Sequence, residues 1–185
     1  MSAEIDEIRE AWLLAARQHA SQHYYTPVAG ETLPYLVHLG MVTLEAQEAV
    51  RRDRTLDVRL ILLCAILHDV LEDTDLTPSA LAERFGEAVL AGVRALTKND
   101  TLPDKAAQMT DSLRRIRLQP REVAVVKLCD RIVNLAPPPA HWKEVKVTAY
   151  RKEAELILRE LGGASTYLRQ RLAEKIAGYG SNHSA

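Results

Sequence analysis

Several side chains able to bind metal interrupt the most apolar stretches of this 185-residue chain. His68-Asp69 directly follows Leu63-Cys64-Ala65-Ile66-Leu67. Asp130 sits inside the run at 125–135, and His38 lies between Val37 and Leu39. Burying an imidazole or a carboxylate among such neighbours costs on the order of several kcal/mol unless it is paired or holds an ion. Two imidazoles and two carboxylates form a mixed set of borderline and hard donors. They suit Mn²⁺, Fe²⁺, Ni²⁺, Zn²⁺ or Mg²⁺, with positions left for water. A divalent ion in such a set acidifies a water and polarises a phosphoryl oxygen. Glu72 lies four residues beyond His68, and Asp73 four beyond Asp69, so helical spacing puts both acids on the ligand side. They are candidates for a general base and for the partner that orients its water. Asn134, four residues past Asp130, is a candidate donor to a water or substrate oxygen.

Helices must position these groups. Ile5, Ile8, Trp12, Leu13 and Ala16 follow the i, i+3, i+4 spacing of an amphipathic helix. A turn-rich loop around residues 25–31 comes next, and Pro34 is placed in the first turn of a helix running to about Arg52. Residues 56–71 are apolar on nearly every side and predict the central buried helix. Thr77 and Pro78 read as N-cap and first helical residue of another. Further helices are expected over about 88–96, 103–118, 122–135, 144–161 and 166–177, with Gly162-Gly163 as a stop. No run of alternating β-branched residues predicts a strand. The expectation is an all-α fold of roughly eight to ten helices: one domain over 1–180, and a frayed tail over 181–185.

Composition narrows the function classes. Hydrophobic residues are 47% and charged residues 26%, near globular averages. The 24 Lys+Arg against 25 Asp+Glu leave no basic footprint for nucleic acid or an anionic membrane. The longest apolar run, residues 60–67, is far short of the ~20 that a membrane span needs. The N-terminus lacks the basic-then-apolar order of a signal peptide. Two cysteines, Cys64 and Cys129, are too few for a disulfide framework and read as buried hydrophobes in a reducing compartment. A cytoplasmic protein acting on a small molecule is expected, with no nucleic-acid or membrane partner. His19, His23 and His183 read as surface residues, and His141-Trp142 as a packed loop.

The same residues carry a resemblance. His38, His68-Asp69 and Asp130 match the H…HD…D signature of the HD-domain metal-dependent phosphohydrolases. Pro34-Tyr35-Leu36-Val37-His38, His68-Asp69-Val70-Leu71-Glu72-Asp73-Thr74, Arg84-Phe85-Gly86, Leu96-Thr97-Lys98 and the segment from Lys127 to Leu135 resemble the hydrolase domain of RelA/SpoT enzymes. They resemble still more its small stand-alone relatives, the alarmone hydrolases of the metazoan SpoT homologue type. The resemblance spans roughly residues 20–170. It implies an HD-type helical bundle holding one divalent ion, usually manganese, on His38, His68, Asp69 and Asp130. It also implies that Glu72 and Asp73 serve the hydrolytic water, and that 3′-pyrophosphate is removed from guanosine tetra- or pentaphosphate, the alarmone of the stringent response. Tyr150 matches a residue of that family's pocket. Lys98 and Lys127 read either as positive charge for phosphates or as helix-surface residues, and Arg131 as a buttress for Asp130. The family commonly places an Arg-Lys pair before its Gly-x-Pro-Tyr motif; here the loop from Tyr24 to Leu33 holds neither residue type, leaving Tyr25 as the candidate to stack on a base. Two rival functions remain. One is cleavage of another nucleotide, a deoxynucleoside phosphate or NADPH, at the same centre. The other is a non-catalytic sensor that binds metal and nucleotide.

Overall fold

The computed structural model describes residues 2–26, 28, 30–139 and 141–180. Helix α1 (Ser2–Gln18) leads into a short antiparallel ribbon, β1 (His23–Tyr25) with β2 (Thr32–Pro34). The rest is helical: α2 (Leu36–Arg52), α3 (Val58–Leu67), α4 (Val70–Asp73), α5 (Pro78–Phe85), α6 (Glu87–Leu96), α7 (Lys105–Ile116), α8 (Arg121–Asn134), α9 (Glu144–Leu161) and α10 (Thr166–Gly178). A single 3₁₀ turn at Gly162–Ala164 joins α9 to α10. The expected all-α class holds.

Local sequence explains the boundaries. The side chains of Asp57, Thr77, Asp104 and Ser165 each accept from a main-chain N–H in the first turn of α3, α5, α7 and α10. Pro78 follows its cap at the first helical position, where its missing N–H costs nothing. Gly86 breaks α5 from α6 at φ +86°, a conformation that a Cβ disfavours.

Helices α3 and α8 form the interior. Every residue from 60 to 67 is buried, and so is every residue of α8 from 122 to 132. Helix α2 packs on both, and α1, α6, α9 and α10 cover the remaining faces. Side chains from all of these helices join one contiguous apolar cluster, with Leu39, Ile61, Leu63, Ile66, Phe85, Leu128 and Ile157 among its most buried members.

The structure departs from the sequence expectations at four places. The ribbon exists although its strands are three residues each, too short to show a period. Pro34 ends β2 instead of starting α2, and Tyr35 takes the N-cap position. The single helix expected over 56–71 is two, interrupted at His68-Asp69. His19, expected at the surface, is 1% exposed, its ring packed against that of Tyr35. His183 and the tail over 181–185 lie outside the described residues.

Candidate metal centre and active site

The interruption between α3 and α4 is what makes the site. On a continuous helix consecutive side chains diverge by about 100°, so neighbours cannot face one target. Asp69 leaves the helix with φ −103° and ψ −3°, in the bridge region of the backbone map. His68 and Asp69 therefore both turn inward, and His68 Nε2 lies 2.9 Å from Asp69 Oδ2. Helix α2 brings His38, whose Nε2 is 3.4 Å from His68 Nε2, 3.6 Å from Asp130 Oδ1 and 3.8 Å from Asp69 Oδ2. Helix α8 brings Asp130, with Oδ1 3.9 Å from His68 Nε2. On this helix Lys127, Asp130, Arg131 and Asn134 follow i, i+3, i+4, i+7, a polar stripe that lines one cavity.

The four side chains fit a divalent ion. Donor atoms about 2.1 Å from a common ion lie roughly 3.0–3.5 Å from one another, close to the spacing seen. His68 Nδ1 meets the Ala65 carbonyl at 2.9 Å, so it carries the proton, and the lone pair of the neutral ring sits on Nε2, toward the cluster. Two buried imidazole nitrogens facing each other and two carboxylates need a cation between them. Burial opposes charge on His68, yet Asp69 and Asp130 raise it to about 9, so that without an ion a proton takes the place. Burial and the neighbouring His68 instead lower His38. Against the cost of burial, the imidazoles hold Asp69 well below the usual carboxylate range, and Lys127, then the imidazoles, do the same for Asp130. His38, His68 and Asp130 form a group of potential ligands whose donor atoms all lie within 4.8 Å of one another.

Around these groups lies a cavity of about 440 Å³. Glu72 and Asp73 line it, in different states. The Glu72 carboxylate accepts from the Lys98 main-chain N–H at 2.9 Å and from Lys98 Nζ at 2.5 Å. The Asp73 carboxylate accepts no hydrogen bond from a described residue. Burial, then the charges of Asp69 and Glu72, raise its pKa. Lys98, Lys105, Lys127 and Arg131 add four cations to the same wall. Lys127 Nζ donates to Asp130 Oδ2 at 3.0 Å, and Asn134 Nδ2 donates to Asp130 Oδ1 at 2.5 Å. Asn134 lines the cavity with its amide on the Asp130 carboxylate. Tyr150 lines the far wall, with the Arg131 guanidinium 4.4 Å above its ring and Glu153 accepting from Arg131 Nη2.

Tyr25 does not reach this cavity. Side chains alternate along a strand, and in β1 it is Tyr24 that faces inward, stacked on His38 with 5.7 Å between centroids; Tyr25 points out and is 75% exposed. Two residues that matter had no role assigned from sequence. Tyr35 donates from its hydroxyl to Asp69 Oδ2 at 2.5 Å. Gln22 donates from Nε2 to the Asp73 carbonyl at 2.6 Å. A larger hollow of about 770 Å³ between α6 and α7 shares only Lys98 with the site, and no histidine or cysteine lines it.

A helical bundle that converges His, His-Asp and Asp from three segments on one buried point defines the HD class of proteins. The chain belongs to the HD domain family, whose profile matches residues 11–164. A human protein named guanosine-3′,5′-bis(diphosphate) 3′-pyrophosphohydrolase MESH1 is 31% identical over 184 residues, spanning 93% of this chain and 94% of its own. A guanosine-3′,5′-bis(diphosphate) 3′-pyrophosphohydrolase of Aquifex aeolicus is 35% identical over 133 residues, 70% of this chain and 17% of that longer one. Among solved structures, one described as a metazoan ortholog of SpoT that hydrolyzes ppGpp superposes with a TM-score of 0.78 at 23% identity, over 92% of this chain and 94% of its own. A Listeria monocytogenes protein shares the fold at a TM-score of 0.61 and 18% identity.

Proposed function

We propose that this chain is a divalent-metal-dependent phosphohydrolase that removes pyrophosphate from the 3′ position of guanosine 3′,5′-bis(diphosphate). The observation that carries the reading is that the four candidate ligands and the Glu72-Asp73 pair line one cavity, in a chain 31% identical to a relative named for that reaction. His38, His68, Asp69 and Asp130 are the ligands, and manganese is the first choice of ion. When bound, such an ion lowers the pKa of a water and draws charge from a phosphoryl oxygen.

The chain's own groups supply the rest. Asp73, whose carboxylate accepts no hydrogen bond from a described residue, takes the proton of the attacking water. Glu72, pinned by Lys98, fixes the direction of that water. Water oxygen bonds to the phosphorus attached to the 3′ oxygen as that P–O bond breaks. Pyrophosphate departs, and the proton passes to the 3′ oxygen of guanosine diphosphate. Lys98, Lys105 and Lys127 offset the charge of the polyphosphate, and Asn134 and Tyr150 bound the space for the nucleoside. Residues 1–180 act as one unit of this type, and the substrate is a free nucleotide. Two free, buried cysteines suit a cytoplasmic setting. No helix among the described residues is long and apolar enough to cross a membrane.

Purified protein with Mn²⁺, offered a panel of nucleotides, tests the reading. Guanosine tetraphosphate should yield guanosine diphosphate and pyrophosphate faster than any other member reacts. Cleavage of NADPH or a deoxynucleoside phosphate with the tetraphosphate left intact would keep the centre and replace the substrate. That result would mark the loop from Tyr24 to Leu33, which holds no Arg or Lys, as the reason.

A further inference from the structure

We infer that His19 and Gln22 are positioning residues that set the direction of the Asp73 carboxylate through one directed chain of hydrogen bonds. The inference deepens the reading above, since it takes Asp73 as the group that serves the water.

Helix α4 is only four residues long, and Thr74 after it is extended, so its last carbonyls have no helical partner. The Asp73 carbonyl is one of these, and Gln22 Nε2 donates to it at 2.6 Å across 51 residues of sequence. A carbonyl only accepts, so the Gln22 amide must present its NH₂ there and its oxygen to the other side. On that side Gln22 Oε1 meets His19 Nδ1 at 2.7 Å. Oε1 only accepts, which places the imidazole proton on Nδ1. The polarity then runs one way, from His19 through Gln22 to Asp73. His19 is 1% exposed, and its ring packs 5.0 Å from the Tyr35 ring, so it cannot swing away without opening the core. The Gln22 main-chain carbonyl accepts from the Tyr35 N–H at 3.1 Å. Gln22 therefore fixes Asp73 with its side chain and Tyr35, which holds Asp69, with its backbone. A buried imidazole and a half-buried amide spent on one carbonyl do more than end a one-turn helix. They hold a carboxylate that accepts no hydrogen bond from any described residue.

Misplacing a catalytic group by about 1 Å costs on the order of a hundredfold in rate. With Mn²⁺ and guanosine tetraphosphate, Gln22→Met and His19→Phe should lower kcat by roughly 10–100-fold. KM and bound Mn²⁺ should stay within about twofold of wild type, as expected when transition-state geometry alone is lost. His19→Asn, whose amide N–H takes the place of Nδ1–H, should return kcat to within about threefold of wild type. Unchanged kcat in Gln22→Met and His19→Phe overturns the inference. So does a parallel collapse of kcat, KM and metal content in all three variants, which a merely structural role produces. A second readout needs no turnover: ¹⁵N NMR of the Mg²⁺-loaded protein should find the His19 proton on Nδ1, and a proton on Nε2 alone overturns the chain. If the wild-type protein cleaves no nucleotide in the panel, the proposed function fails, and the NMR result still decides the hydrogen-bond chain.

Discussion

The hydroxyl of Tyr35 sits 2.5 Å from Asp69 Oδ2, the same carboxylate oxygen that lies 2.9 Å from His68 Nε2. One candidate ligand oxygen is thus oriented by a phenol whose ring is packed between His19 and His38. Burial and the Asp69 carboxylate both push the Tyr35 hydroxyl far above its ordinary pKa, so it remains a donor throughout the physiological range. Tyr35→Phe keeps the packing and removes the bond. A hydrogen bond to a charged group contributes about 1.5–3 kcal/mol, so Mn²⁺ affinity should fall by roughly 10–100-fold with little change in fold. Calorimetric titration of the variant checks this, and an unchanged affinity would show that Asp69 is held without the phenol.

Glu72 and Asp73 sit beside the candidate ligands and are not counted among them. Glu72→Gln and Asp73→Asn should therefore each retain one Mn²⁺ per chain while kcat falls by roughly 10²–10⁴-fold. Rates and metal content measured on the same preparations decide the matter. Wild-type turnover in both variants would show that neither acid serves the water.

The candidate ligands stood out in the sequence for a physical reason: a charged residue in an apolar run is costly, so His38, His68, Asp69 and Asp130 draw notice. Their near neighbours do not. Tyr35 at a helix start had no role assigned and His19 at a helix end reads as a surface residue; the packing of their rings, 5.0 Å between centroids, shows otherwise. The ribbon was illegible too, with three residues per strand and no period to detect. It also decides that Tyr24, not Tyr25, faces the centre. The break at His68-Asp69 was hidden because the spacing of residues 56–71 reads equally well as one helix; the need to aim two consecutive side chains at one point is a tertiary demand.

Gly92 of α6 marks a close approach of helices. A Cβ there would lie 2.8 Å from Cys64 Sγ and 3.2 Å from Val123 Cγ2, and both of those residues are fully buried. Alanine is the better helix former by about 1 kcal/mol, but overpacking a core that cannot yield costs about 1–3 kcal/mol. Gly92→Ala should destabilise the protein by about 1 kcal/mol net. Urea unfolding reads the difference, and a stabilised variant would mean that α3 and α6 can part.

Burial drives Cys64 up to about 12 and Cys129 well above its ordinary value. The unfolded thiol of Cys64 ionises near 9.0, so the stability it lends is intact below that pH and is lost as pH climbs toward 12. At pH 8 both thiols should resist a disulfide reagent in the native protein and react promptly in denaturant. Rapid labelling of native protein would contradict their burial.

The most direct measurement is a Mn²⁺ titration of the purified chain followed by electron paramagnetic resonance. One tightly held ion per chain is expected, abolished separately by His38→Ala, His68→Ala and Asp130→Ala, each contributed by a different segment. No tight ion in the folded wild type, or binding indifferent to all three substitutions, would contradict the account.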